Sequence, residues 1–190
     1  MAETRTKILE AAMSLCLERG PLAVSMSEIA AAAGVERVTL YRHFGDEGGL
    51  HRAVGAYCMA RFPPPSPEPL RAVANPVART RQALEQLYAH WDRMGPMVRP
   101  ILRDADVAPM RVSLELRERY VNAIRAAVVA GFPASVRGRA LFRDAVRHAF
   151  DFRTWDSLQR AGFTRRRALA LMTEFVVGAA RTERRAEAEG

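Results

Sequence analysis

The sequence has almost no lysine and almost no cysteine. Lys7 is the sole lysine among 29 basic residues. Cys16 and Cys58, the two cysteines, sit in stretches that read as helix. Two thiols so placed argue against a disulfide framework and predict reduced, buried side chains. There is no HExxH, no paired CxxC and no Gly-rich phosphate loop, so no zinc site or nucleotide loop is expected. The four histidines, His43, His51, His90 and His148, are scattered. His148 and Asp151 share helical spacing, but two residues do not make a metal site. Asp104 and Asp106 read as caps and surface charges rather than an acid–base pair, which would need a pocket and an opposing partner. No catalytic residue, metal or cofactor is therefore expected, and the chain does not read as an enzyme.

Other absences bound the architecture. No apolar run approaches the ~20 residues that span a bilayer, and the opening MAETRTKILE lacks a basic-then-apolar signal pattern. A cytoplasmic protein with no membrane partner is expected. No stretch alternates with period two, so the prediction is an all-α fold of about nine helices. With 49% hydrophobic and 26% charged residues, 190 residues suffice for a folded chain with a substantial core.

The net charge of +8 suits a nucleic-acid partner. Its distribution qualifies that inference. Residues 1–61 contain seven basic side chains (Arg5, Lys7, Arg19, Arg37, Arg42, Arg52, Arg61) and seven acidic ones (Glu3, Glu10, Glu18, Glu28, Glu36, Asp46, Glu47). The excess lies beyond them, so the argument for DNA rests on a motif. The arginine bias itself reads as a matter of composition rather than function.

That motif is SMSEIAAAAGVERVTLYRHF, residues 25–44. Ser25 is a natural N-cap, and Glu28 three residues on completes a capping box. Gly34 stands where a left-handed C-cap is wanted. Val35 is the apolar residue of a tight turn, and a second short helix follows from about residue 37 to 43. Two helices joined at a glycine bend form a helix-turn-helix, whose second helix enters a DNA major groove. Base contacts must project from the exposed face near the start of that helix, which selects Arg37, Val38 and Arg42. Arginine binds guanine bidentately, and valine can touch a thymine methyl. Leu40 and Phe44 read as core anchors, and His43 as a phosphate or backbone contact.

The first ~55 residues resemble the TetR-type bacterial transcriptional regulators. The resemblance rests on TRTKILEAAMSLCLERG, SMSEIAAAAGV, TLYRHF and Leu50, in that order. It implies a one-component DNA-binding regulator in which Thr39 supplies a helix-surface contact and Tyr41 a phosphate-bonding phenol. Ser25 at the cap joins these DNA-facing candidates, and Arg5 near the chain start could reach a phosphate. Related sequences usually carry a lysine at the start of the fourth helix, where it meets phosphate. Here that position is Glu47, in GDEGGL, and Gly48 and Gly49 weaken the same turn. Glu36 likewise replaces the usual small cap before the third helix.

The first helix should run from about Thr4 to Glu18, with Ile8, Leu9, Ala12, Met13, Cys16 and Leu17 on one face. The fourth should begin at Glu47 and continue from Leu50 to about Phe62. PPPSPEP, residues 63–69, reads as a stiff connection. The expected organisation is a DNA-binding domain over 1–62, a Pro-rich linker over 63–76 and a helical ligand-binding and dimerisation domain over 77–190. Within the last, helices are expected over Val77–Met94 (ended by Gly95-Pro96), Val98–Asp104, Met110–Ala130, Val136–Arg160 and Thr164–Arg184.

A pocket between helices would be lined mainly by apolar side chains. Tyr88, Trp91, Met94, Met97, Leu114, Phe142, Val146 and Phe150 are the candidates, and an apolar or amphipathic effector is the first expectation. Arg147 on an inner face could instead receive a carboxylate. The final helix is apolar over more than one face, more than its own domain can cover. The family resemblance implies that the last two helices form a four-helix dimer interface, with Phe152, Trp155, Leu169, Met172, Phe175 and Val176 as candidates. A two-fold dimer suits a palindromic operator with half-sites ~34–36 Å apart, or a multiple of it. The expected partners are a double-stranded DNA operator, a small-molecule effector of unknown identity and a second copy of the chain. Two alternatives stand beside this regulator: a helical ligand carrier or enzyme with a vestigial helix-turn-helix, and a weak DNA binder that needs a partner protein.

Overall fold

The structure is a computed structural model describing residues 2–103 and 108–186, with side chains placed at 2–103 and 114–182. The expected Asp104 and Asp106 features lie outside the described residues. Among the described residues there are eleven α-helices and no strand, nine of the helices having eight residues or more. The chain forms two compact units, one of Met1–Pro64 with Arg93–Arg117, the other of Pro65–Asp92 with Glu118–Gly190. The first crossing falls at the proline-rich stretch. Arg93–Arg117, expected in the C-terminal domain, clusters with the N-terminal residues instead.

In the first unit, α1 (Ala2–Arg19) packs against α2 (Met26–Ala33) and α4 (Glu47–Arg61), and α3 (Arg37–Phe44) packs against α2 and α4. The core is built from the predicted apolar face of α1 (Ile8, Leu9, Ala12, Cys16) with Ile29, Leu40, Leu50, Val54 and Cys58. The Tyr57 hydroxyl ties α4 to α1 by donating to Glu10 Oε1 at 3.1 Å. α4 begins at Glu47, the expected start. Asp46 is its N-cap, accepting from the Gly49 amide at 2.6 Å, and a side-chain cap offsets the low helix propensity of two glycines. Gly49 has a steric reason as well: a Cβ there would lie 2.0 Å from the Phe44 carbonyl oxygen.

The second unit begins with α5 (Glu68–Arg71), a single turn inside what was read as extended connection. α6 (Pro76–Arg103) then departs most from expectation. It was predicted to stop at Gly95-Pro96, yet it runs through both Pro96 and Pro100 as one 28-residue helix. A proline disfavours helical backbone in the residue before it by clashing with that residue's Cβ. Before Pro96 that residue is glycine, so the clash is missing. Met94, Met97 and Val98 on either side are buried, and their burial offsets the lost amide bonds. The start of α6 is well signalled. Asn75 Oδ1 accepts from the Val77 and Ala78 amides at 2.9 and 3.0 Å, and Pro76 occupies the first helical position.

α7 (Ala108–Ala130) matches its prediction within two residues. The helix predicted over 136–160 is instead three: α8 (Ala134–Arg137), α9 (Ala140–Ala149) and α10 (Phe152–Arg160). The break after α9 has a tertiary cause. The Tyr88 hydroxyl donates to the Ala149 carbonyl at 2.9 Å, and Arg125 donates to the carbonyls of Arg147 and Phe150 at 3.2 and 2.9 Å. Oxygens that would have continued the helical ladder are thus taken by side chains, and Asp151 caps α10 through the Arg153 amide at 2.7 Å. α11 (Arg165–Ala186) follows Thr164, whose hydroxyl accepts from the Arg167 amide at 3.3 Å.

An aromatic cluster around Trp91 holds this unit together. The Trp91 ring lies 5.6 Å from both Tyr88 and Phe152 and 6.2 Å from Trp155. Trp91 is fully buried and its indole N–H has no hydrogen-bond partner among the described residues, so it acts as packing. Trp91→Ala is expected to lower unfolding stability by about 3–5 kcal/mol in urea titration, and Trp91→Phe by much less, since no hydrogen bond is lost.

Candidate nucleic-acid interface

The helix-turn-helix is assembled as its sequence signals require. Ser25 caps α2: its hydroxyl accepts from the Glu28 amide at 3.3 Å, and Glu28 Oε2 accepts from the Ser25 amide at 2.8 Å. A third partner was not anticipated. Arg19, in the last turn of α1, donates to Glu28 Oε1 at 2.7 Å and joins the first helix to the cap of the second. Gly34 is left-handed at φ 66°, and the Gly34 and Val35 amides bond back to Ala31 and Ala30 at 3.1 and 3.0 Å. The turn therefore reverses the chain with its amides satisfied. α3 has no such support at its start, because Glu36 makes no side-chain cap.

The exposed face of α3 carries the predicted contacts. Val38 is 66% exposed, unusual for a large aliphatic side chain, while Leu40 two residues on is fully buried. Arg37, Arg42 and Tyr41 are exposed, and Thr39 and His43 are half-buried. Arg37 lies along Tyr41: Nη2 donates to the phenol oxygen at 2.9 Å and the guanidinium sits 5.5 Å from the ring centroid. Tyr41 is therefore a surface residue braced by an arginine rather than a core aromatic. Arg5, at the start of α1, sits 5.2 Å from the Phe44 ring centroid, its charge at the edge of the same unit. Ser25, Ser27, Glu28, Arg37 and Glu47 line one shallow depression of about 430 Å³. Glu47 thus shares one surface depression with Arg37 of α3.

Glu28 is the most perturbed carboxyl of this site, held down to about 2 by the Ser25 amide first and by Arg19 second. The sign follows directly. A depressed carboxyl contributes stability that is complete above the ordinary glutamate range and is lost as pH falls through its folded value. The two cysteines lie in the core behind this surface, and burial raises both thiols to about 11.

The other predicted sites are distributed differently. Tyr88, Trp91, Phe142, Val146 and Phe150 are buried in the second unit, whereas Met94 and Met97 are buried and Leu114 half-buried in the first. Val146 alone of these eight lines an open groove of about 860 Å³ between α7 and α9. Arg147, named in sequence as a carboxylate acceptor, stands in that groove's wall and pairs with Asp144 at 3.0 Å. Of the six dimer candidates, Phe152, Trp155 and Val176 are buried in their own unit's core, as are all but a few per cent of Leu169 and Met172. The family resemblance implies an interface role for them, whereas within the chain these five are already buried. Phe175 stays 44% exposed, and Leu171, one turn earlier on α11, is equally exposed. Among the described residues no group of three histidine, cysteine or acidic side chains could hold a metal ion. No described helix is long and apolar enough to cross a membrane.

A two-helix motif capped at one end, reversed at Gly34 and carrying an exposed arginine–tyrosine–valine face defines a helix-turn-helix protein of all-α fold. Residues 8–54 match the family model of the bacterial regulatory proteins, tetR family. Uncharacterised HTH-type transcriptional regulators of Mycobacterium tuberculosis, in strains H37Rv and CDC 1551, are 47% identical over 47 residues, which is 25% of this chain. The match spans 23% of the length of those relatives. Over its length the chain has the fold of TetR-like regulators. A TetR-like transcriptional regulator from Rhodococcus sp. RHA1 superposes with a TM-score of 0.64 at 20% identity, covering 96% of each chain. The Bacillus subtilis regulator FadR, in complex with stearoyl-CoA, gives 0.66 at 16% identity over 93% of this chain and 97% of that one. A putative fatty acid metabolism regulator from Clostridium perfringens gives 0.67 at 13% identity over 91% and 97%. At these identities the likeness is one of fold.

The cap network makes its own prediction. The stability difference between wild type and Glu28→Gln, measured by chemical denaturation across pH, is expected to be constant above about 4.5 and to shrink as pH falls toward about 2. A difference that does not change over this window would mean that the charge of Glu28 contributes nothing to the cap.

Proposed function

We propose that this chain is a ligand-responsive, DNA-binding transcriptional regulator that acts as a homodimeric repressor and is not an enzyme. The observation that carries the reading is the α3 surface, where Arg37, Val38, Tyr41 and Arg42 stand exposed behind a fully capped α2. Side chains at the start of a recognition helix read base edges, while Tyr41, His43 and Ser25 are suited to phosphate oxygens. Leu171 and Phe175, exposed one turn apart on α11, are the apolar surface that a second copy would cover. Dimerisation sets the spacing of two recognition helices, and an effector represses or releases by changing that spacing. A coupling of ~1–3 kcal/mol is enough for a useful switch.

The effector is proposed to be largely apolar or amphipathic. Support comes from the aromatic and aliphatic character of the second unit and from the fold shared with FadR, which was solved with stearoyl-CoA.

A gel-shift titration on DNA around the protein's own promoter tests the reading. Specific binding that weakens steeply with salt is expected, because phosphate contacts release counterions. Absence of binding at low salt would overturn the proposal and favour a ligand carrier with a vestigial motif. Glu47 supplies a sharper test. Glu47→Lys is expected to tighten binding in fluorescence anisotropy and to steepen the log–log salt slope by about one. Unchanged affinity would mean that Glu47 does not face the DNA.

A further inference from the structure

One surface of the second unit has a composition that the regulator reading does not use. The groove between the C-terminal half of α7 and α9 presents four guanidinium groups, those of Arg125, Arg137, Arg143 and Arg147, against the single carboxylate of Asp144. Their states differ. Arg125 is fixed by Glu118 and two backbone carbonyls and forms an anchored wall. Arg137 uses its Nε on the Phe132 carbonyl at 2.7 Å, which leaves its outer nitrogens facing solvent. Arg147 is paired with Asp144, but those side chains are 73% and 63% exposed, and an ion pair so exposed is worth little. The guanidinium of Arg143 has no hydrogen bond or ion pair among the described residues.

The backbone adds to this field. α9, a ten-residue helix, starts in the groove wall at Gly138 and Ala140, and its N-cap residue Arg139 gives the first turn no side-chain acceptor. The positive end of a helix without a side-chain cap and three loosely held guanidiniums therefore meet in one concavity. α7 ends beside the same groove, where a negative dipole end would oppose an anion. Its carbonyls at Ala127, Val128 and Val129 already accept from Arg79 and from the Gly131 and Phe132 amides. The floor is short and apolar (Ala126, Val129, Val146).

We propose that this groove is a binding site for a small phosphate-bearing ligand, held by Arg143 and Arg137 with Arg147 recruited from Asp144 and with the first turn of α9 as backbone donor. Phosphate matches the planar forks of arginine bidentately, and the groove volume of about 860 Å³ accommodates a molecule of nucleotide size. The site is independent of the helix-turn-helix and stands whether or not the chain binds an operator.

Isothermal titration of the full chain with sodium pyrophosphate at low ionic strength tests it. Saturable binding is expected. Arg143→Gln and Arg137→Gln should each weaken it at least about tenfold, the share of one charge-assisted hydrogen bond. Arg166→Gln, an exposed α11 arginine outside the groove, and Arg42→Gln on the recognition helix should leave it unchanged. Arg143 has no partner to lose, so its variant tests the site even if Arg137→Gln disturbs the turn at Phe132; circular dichroism checks the fold of both. Absence of saturable binding, equal affinity in Arg143→Gln, or equal weakening in Arg166→Gln would overturn the proposal, the last by showing a response to overall charge.

Discussion

The second unit depends on arginine guanidiniums closing backbone carbonyls. Arg79 is only 8% exposed and has no carboxylate partner among the described residues; it donates instead to the carbonyls of Val73, Ala127 and Arg71 at 2.8, 3.0 and 3.1 Å. Arg125 does the same at the end of α9, and Arg137 at the Phe132 turn. A planar fork with five donors can span oxygens from different segments, and it keeps its charge under burial. Lysine offers one compact ammonium and could not bridge Arg71, Val73 and Ala127 together. Every helix end leaves open carbonyls, and at these ends the arginine side chains satisfy them where the backbone does not.

That economy changes the meaning of the composition. A single lysine against many arginines reads, in the sequence, as a property of the coding sequence. In the fold, several of those arginines are structural elements that determine where helices stop. The same preference then leaves others with nothing to hold. Arg143 is the clearest, since it occupies the groove wall that Arg125 and Arg137 shape while serving neither helix end.

What could be read in advance follows from the range of each interaction. The helix-turn-helix was legible almost residue by residue, because its determinants are local: Ser25 and Glu28 are three apart, and Gly34 acts on its own turn. The exposure of Val38 beside the burial of Leu40 followed from the same periodicity. The Arg19–Glu28 bond spans nine residues across a loop and left no pattern. Longer range defeated the reading elsewhere. Gly95-Pro96 has the signature of a helix end, and local rules predict a stop. The helix continues because glycine removes the steric objection to the following proline and because Met94, Met97 and Val98 are buried around it. The break after Ala149 shows the converse, since nothing in the local sequence announces that Tyr88 and Arg125 will take those carbonyls.

The apolar residues of the C-terminal helices teach a related point about sites. Hydrophobicity identified Phe152, Trp155 and Val176 as side chains that must be covered, which they are, but it did not identify by what. The chain's own core claims them, and what stays uncovered on α11 is the smaller pair Leu171 and Phe175. Charge behaves similarly. The first 61 residues balance to zero on paper, yet α3 exposes Arg37 and Arg42 while Glu28 is spent on the α2 cap and its bond to Arg19. A neutral sum thus resolves into a surface with local positive character, interrupted at Glu47. For a protein that would read DNA through one short helix, the distribution of committed and uncommitted charge decides more than the total, and only the pairing geometry separates the two.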